Sequence, residues 1–123
     1  MTTLTIGIAS YEDMKARTLA IARGELKPGP EEPKVWFTST ESFAKVMSAG
    51  NRELLRIIIE QHPESLDDLA RLSGRHKSNL SRTLKRMEAF GLVSLERGVR
   101  GRVMPRVGFD RVVLDLPLQR QAS

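Results

Sequence analysis

An α+β fold is what the 123-residue sequence predicts, on three observations. Short β-branched segments stand near both ends of the chain, LTIGIAS at Leu4–Ser10 and DRVVLDL at Asp110–Leu116. Between them, segments with an apolar period near 3.6 follow Ser, Thr or Asn caps and close at Gly or Pro, as helices do. After these comes LVSLERGVRGRVMPRV, Leu92–Val107, which alternates apolar and polar residues around two glycines.

The N-terminal strand is Leu4–Ser10. Ser10 caps a helix, with Asp13 three residues on as the capping-box partner. Met14, Leu19, Ile21 and Ala22 give that helix a loose apolar face, and Gly24 ends it. Lys27–Pro33, KPGPEEP, is a breaker-rich connector. In the KVWF segment that follows, Trp36 and Phe37 are expected to anchor the core where the chain enters the next helix. Thr38 and Glu41 form a T-x-x-E box for a helix running to about Ala49. Asn51 is expected to cap the next, whose Leu54, Leu55, Ile57, Ile58 and Ile59 make it apolar almost all round and therefore central. Pro63 stops it. Ser65 and Asp68 open a helix with Leu66, Leu69, Ala70 and Leu72 at helical spacing, ending near Ser73-Gly74.

The next helix is divided into two faces. With Leu80 at zero and about 100° per residue, Leu84 falls near 40° and Met87 near −20°, a stripe to be buried. Ser78, Ser81, Arg82, Lys85 and Ala89 lie on the opposite side, between about 100° and 200°. A short capped helix, a glycine turn and an amphipathic helix with a small, polar, basic outer face make a helix-turn-helix. Its second helix would enter the major groove of DNA by its N-terminal part, where His76, Lys77, Ser78, Asn79 and Arg82 stand. Arginine suits guanine and asparagine suits adenine. Lys85 and Arg86, further along, suit phosphates, and Ser81 lies on the same face. Gly98 and Gly101 bracket a hairpin turn with Val99-Arg100 at its tip. Directly after such a helix, a hairpin bearing Arg97, Arg100, Arg102 and Arg106 reads as a wing. An arginine at its tip suits a narrow, A·T-rich minor groove. The alternative for these arginines is protection of an edge strand by charge.

Charge is distributed accordingly. Net charge is +5, but residues 71–111 hold 11 Lys/Arg against 3 Asp/Glu, a balance of +8, while the rest holds 9 against 12, a balance of −3. A basic segment on a slightly acidic body points to a polyanion partner. The absence of cysteine excludes disulfides and thiolate chemistry, and His62 and His76 are isolated, so neither metal nor cofactor is expected. No paired carboxylates and no nucleophile-base constellation point to an enzyme. Asp67-Asp68 reads as helix N-terminal charge. No apolar run approaches the roughly 18 residues of a membrane span. The N-terminus lacks a basic region, so no signal peptide is expected, and the location is expected to be cytoplasmic.

The stretch Glu64–Gly98 resembles the winged helix-turn-helix core of MarR-like and ArsR-like regulators. The tightest match is NLSRTLKRMEAFGLV, Asn79–Val93. There Ser81, Arg82, Leu84, Met87, Gly91, Leu92 and Val93 follow an S-R-x-L-x-x-L-x-x-x-G-L-V pattern, with methionine for the usual second leucine. VWFTS, PRVGFDRVVLDLPL and the leading strand and helix resemble a narrower group of small regulators, some encoded beside toxin-like genes. The resemblance implies a winged helix-turn-helix with an extra N-terminal strand and helix and a C-terminal strand. Three regions follow: residues 1–33 for dimerisation or partner contact, 34–108 for DNA, and 109–123 as strand and tail. The expected function is sequence-specific binding of double-stranded DNA by a dimeric repressor of its own operon. The alternative is an antitoxin-type protein that also neutralises a toxin through the region outside the winged helix. RNA binding through the same face is disfavoured by the lack of aromatics for base stacking. The two terminal strands are expected to pair with each other, within one chain or across a homodimer, because lone strands leave unpaired edges.

Overall fold

The computed structural model describes residues 2–29 and 32–118, so part of the Lys27–Pro33 connector and of the 109–123 tail lies outside the described residues. The chain is mixed α and β. Its elements are β1 (Thr3–Ile8), α1 (Tyr11–Ala22), β2 (Val35–Phe37), α2 (Thr40–Val46), α3 (Ala49–Gln61), α4 (Leu66–Ser73), α5 (Lys77–Phe90), β3 (Ser94–Arg97), β4 (Val103–Arg106) and β5 (Arg111–Asp115).

The terminal strands pair within one chain. β1 is the middle of a three-stranded sheet, parallel to β5 on one side and to β2 on the other. The register sorts the side chains by alternation. Val35, Ile6 and Leu114 form one row of the inner face, with Leu4 beside Val112 and Ile8 beside Phe37. Ile6, Val35 and Phe37 are buried there. The outer face carries Thr3, Thr5 and Gly7 beside Arg111, Val113 and Asp115.

The KVWF segment is therefore a strand rather than a lead-in to a helix. Phe37 does anchor the core: its ring stacks on Phe90 at 4.4 Å and meets Phe43 edge-on at 5.6 Å. Trp36 points the other way. A Cβ at its partner Gly7 would come within 2.5 Å of the indole, so the ring covers Gly7 because Gly7 has no side chain. Arg17 of α1 stands 5.4 Å over the same ring.

Two caps differ from the sequence expectation. Ser39, not Thr38, accepts the Ser42 N–H at 3.0 Å. Its helix ends at Val46, and Ser48, not Asn51, caps α3 by accepting the Asn51 N–H at 3.3 Å. Neighbouring Ser, Thr and Asn residues compete for the cap role, and Ser39 and Ser48 have the extended backbone that an N-cap takes. Ser10 and Ser65 cap α1 and α4 as expected. The α3 helix is two-sided: Leu54, Leu55 and Ile58 are buried, whereas Arg56 binds Glu53 and Glu60 on an exposed side. No residue of α1 is buried. Leu19 and Ile21 of its apolar set are exposed, as is Tyr11.

The core joins the inner face of the sheet to α2–α5 through Val46, Met47, Leu54, Leu55, Ile58, Leu69, Leu80, Leu84, Met87, Leu92 and Val93. Pro63 and Pro105 are fully buried beside it. β3 and β4 form the expected antiparallel hairpin, Ser94 opposite Arg106 and Arg97 opposite Val103. No described helix is long and apolar enough to cross a membrane.

Candidate functional site

The α5 helix owes its orientation to its buried stripe. Leu80 and Leu84 are 0% exposed and Met87 1%. A 14-residue helix anchored along that line cannot roll without exposing all three. Its outer surface then follows. Ser78, Asn79, Arg82, Lys85 and Arg86 are exposed and Ser81 is half-buried. Gly91 closes the helix at a φ of 85°, a left-handed conformation that glycine adopts without steric cost. Leu92 and Val93 bury at once and launch β3, so a single core anchors both the helix and the hairpin.

The N-terminal end of α5 is held by a contact that sequence reasoning missed. Gly74, with φ 74°, turns the chain out of α4. Arg75 donates its backbone N–H to Ser73 Oγ at 3.2 Å, and its Nη1 to Asn51 Oδ1 at 3.1 Å. Asn51 in turn donates Nδ2 to the Val46 carbonyl at 2.9 Å. The two side chains tie the α4–α5 turn to the start of α3. Arg75 is thus a brace for the turn rather than an outward charge. His76 occupies the N-cap of α5 and makes no side-chain capping bond. Lys77, the first helical residue, lies 3.2 Å from Asp67 of α4, which offsets part of its charge.

The hairpin divides its arginines in the same way. Arg106 donates Nη1 to the carbonyls of Pro63 and Pro105, at 3.1 and 2.9 Å, and so fastens β4 to the α3–α4 loop. It also reaches Glu96 at 4.0 Å. Arg97, Arg100 and Arg102 are exposed. The tip is closed by Gly98 N–H to Arg102 O at 2.7 Å. Arg100 sits at its summit with φ 61°, a left-handed conformation uncommon outside glycine. Val99 beside it is 81% exposed.

Among the described residues six acids have basic partners. Glu53 and Glu60 hold Arg56, Asp68 holds Arg71, Glu32 holds Arg17, Asp67 meets Lys77 and Glu96 reaches Arg106. Asp68 is kept below the usual carboxylate range first by the Glu64 backbone N–H and then by Arg71. By contrast Arg82, Lys85, Arg86, Arg97, Arg100 and Arg102 form no ion pair among the described residues. Six cations without counter-ions thus stand on one helix face and one hairpin.

Among the described residues no group of three His, Cys, Asp or Glu is placed to hold a metal ion. His62 ends α3 in a left-handed conformation, φ 49°. A cleft of about 400 Å³ lies between α3 and the start of β5, lined by Met47, Leu55, Ile59 and Phe109 among others.

Residues 46–114 match the family model HVO_A0114. The matched stretch is more than half of the chain. It runs from the last residue of α2 into β5 and so includes α3, the α4–α5 turn and the hairpin. No curated protein matches the chain.

Proposed function

We propose that this chain, which belongs to the HVO_A0114 family, is a winged helix-turn-helix regulator that binds double-stranded DNA. In this reading α4 and α5 are the helix-turn-helix and β3–β4 the wing, of the MarR-like and ArsR-like kind. The observation that carries it is the set of unpaired cations on the outer face of α5 and on the hairpin. Arginines with a structural role find acceptors within the fold, Arg56 and Arg71 in carboxylates and Arg75 and Arg106 in amide and carbonyl oxygens.

The chemistry follows from position. Ser78, Asn79 and Arg82 lie in the N-terminal two turns of α5, where small side chains let the helix approach base edges. Asn79 is the candidate reader of adenine and Arg82 of guanine. Lys85 and Arg86, one turn on, meet phosphates and set register. Arg100, at the hairpin summit, enters the minor groove, flanked by Arg97 and Arg102 on the backbone. Lys77 makes a weaker contribution because Asp67 opposes it, and His76 lies at the helix start. With two copies on paired half-sites the protein acts in the cytoplasm as a repressor of its own operon, by occupying the promoter.

DNase footprinting on the DNA upstream of its gene tests this. Two protected half-sites about 10 base pairs apart, or a multiple of that, are expected. Uniform protection without phase contradicts it. A second reading, an antitoxin-type protein that also holds a partner, is favoured by Tyr11, Leu19 and Ile21. They are 71%, 45% and 39% exposed on a helix that lies outside the family match.

A further inference from the structure

β5 is an edge strand whose two charges, Arg111 and Asp115, are of opposite sign. Its one partner among the described strands is β1. Edges are normally blunted by like-charged side chains such as lysine, by proline, bulges, very short length or a covering element. β5 runs five residues, RVVLD, and its first proline is Pro117, beyond its end. The direction of its free hydrogen-bonding groups can be worked out. The Lys34 N–H donates to the Thr5 carbonyl and the Ala9 N–H to the Phe37 carbonyl, so the odd residues of β1 face β2 and its even residues face β5. In a parallel pair each such even β1 residue bonds to the β5 residues on either side of its register partner, Leu4 to Arg111 and Val113, so Arg111, Val113 and Asp115 face β1 while the N–H and C=O groups of Val112 and Leu114 face outward. Arg111, Val113 and Asp115 put their side chains on the outer face of the sheet, where Val113 is 37% exposed.

The sequence of this edge is complementary to itself. Turn a second copy antiparallel about Val113, and Arg111 falls opposite Asp115 of the other copy, at both ends of the pair. Val113 meets its own counterpart in the middle, and Val112 falls opposite Leu114 on the core side. The two Val112–Leu114 pairs are of the type that exchanges two hydrogen bonds, and Val113–Val113 and Arg111–Asp115 are of the non-hydrogen-bonded type, whose side chains stand closer. Neither Arg111 nor Asp115 has an ionic partner among the described residues, and their neighbours on β1 are Thr3 and Gly7.

We infer that the free edge of β5 is the homodimer contact: two copies join antiparallel about Val113 into a continuous six-stranded sheet, locked by reciprocal Arg111–Asp115 pairs. The inference deepens the dimer of the proposed function but does not use DNA, and neither does its test.

Sedimentation velocity over a concentration series, on the full chain, is decisive. R111D or D115R alone sets like charges opposite each other at both ends, and each is expected to weaken self-association about tenfold or more. The exchange R111D/D115R regenerates both pairs with reversed polarity and is expected to restore association to near wild type. Since the chain has no cysteine, V113C supplies an independent reading that survives a poorly folded charge variant. Paired residues of this kind lie within disulfide reach, so V113C should cross-link on oxidation well above an exposed control such as E41C. A dimer indifferent to the reversals, an exchange no better than the single variants, or V113C cross-linking no more than the control overturns the edge contact and leaves DNA binding standing. A monomeric wild type overturns the dimer itself.

Discussion

Two arginines seven residues apart, Arg75 in the α4–α5 turn and Arg82 on α5, make the sharpest test of how this chain divides structure from function. Arg82 is exposed and unpaired on α5, whereas Arg75 is half-buried and bonded to Asn51 at 3.1 Å. Truncating Arg82 to alanine removes no contact in the folded chain, and alanine favours the helix, so stability should change by less than about 0.5 kcal/mol. Its loss from DNA is a different matter. A bidentate arginine on guanine is worth about 1–3 kcal/mol per half-site. Across two half-sites that is about 2–6 kcal/mol, roughly thirtyfold to more than ten-thousandfold in affinity. Arg75→Ala behaves in the opposite manner. It breaks the hydrogen bond to Asn51 and leaves that part-buried amide oxygen short of a donor, which costs about 1–3 kcal/mol. Melting temperature should fall by several degrees. Its effect on DNA should be smaller, because it acts only through the position of the turn. Thermal unfolding by circular dichroism and fluorescence-anisotropy titration, on both variants, give the four numbers needed. If Arg82→Ala unfolds the protein, or if Arg75→Ala costs more DNA affinity than Arg82→Ala while leaving stability unchanged, the division of the basic surface is wrong.

Other expectations are as direct. Arg100→Gly removes the side chain from a left-handed backbone that glycine adopts freely, so the melting temperature should hold or rise slightly. Salt titration should show the slope of log K against log salt becoming shallower by about 1 per protomer; an unchanged slope means that the hairpin tip does not touch DNA. Gly7→Ala drives a methyl into the indole of Trp36 and should cost about 1–3 kcal/mol. Because Trp36 is the single tryptophan, its emission should shift as the ring is displaced, and unaltered emission and stability would contradict the packing. Leu84→Ala empties a fully buried site and should cost about 2–5 kcal/mol in denaturant unfolding. Asp68 has its folded pKa lowered beneath the unfolded value, so its contribution is complete above the unfolded pKa and is lost as pH falls through the folded one. Asp68→Asn should therefore flatten the acid limb of the melting-temperature profile; an identical acid limb would mean that the carboxylate adds nothing.

What was readable in the sequence was local. The stripe of Leu80, Leu84 and Met87 needs only helical spacing, and all three are buried. Ser10 and Ser65 cap helices because a serine before an acidic first turn has few other uses. The hairpin was marked by Gly98 and Gly101, and the terminal strands by their β-branched residues. What escaped was short or distant. β2 has three residues, too few to show alternation, and its pairing with β1 spans the connector. Ser39 and Ser48 stand beside rival caps, and the choice between them lies in backbone angles that composition does not carry. Arg75 and Arg106 look like any other base in a basic segment. Their partners, Asn51 and the Pro63 carbonyl, are 24 and 43 residues away, so no local pattern separates a bracing arginine from an outward one. α1 shows the converse: its weak apolar face was legible, but only the structure shows Leu19 and Ile21 left exposed.

The central claim is that the unpaired cations of α5 and the hairpin read a particular DNA sequence. Fluorescence anisotropy of the full chain against the duplex upstream of its own gene, beside a scrambled duplex at several salt concentrations, measures it most directly. The account predicts tight binding to the first duplex, much weaker binding to the second, and a discrimination between them that survives rising salt. Equal, weak binding to both duplexes that fades together with salt would contradict it, and would make this face a general polyanion surface.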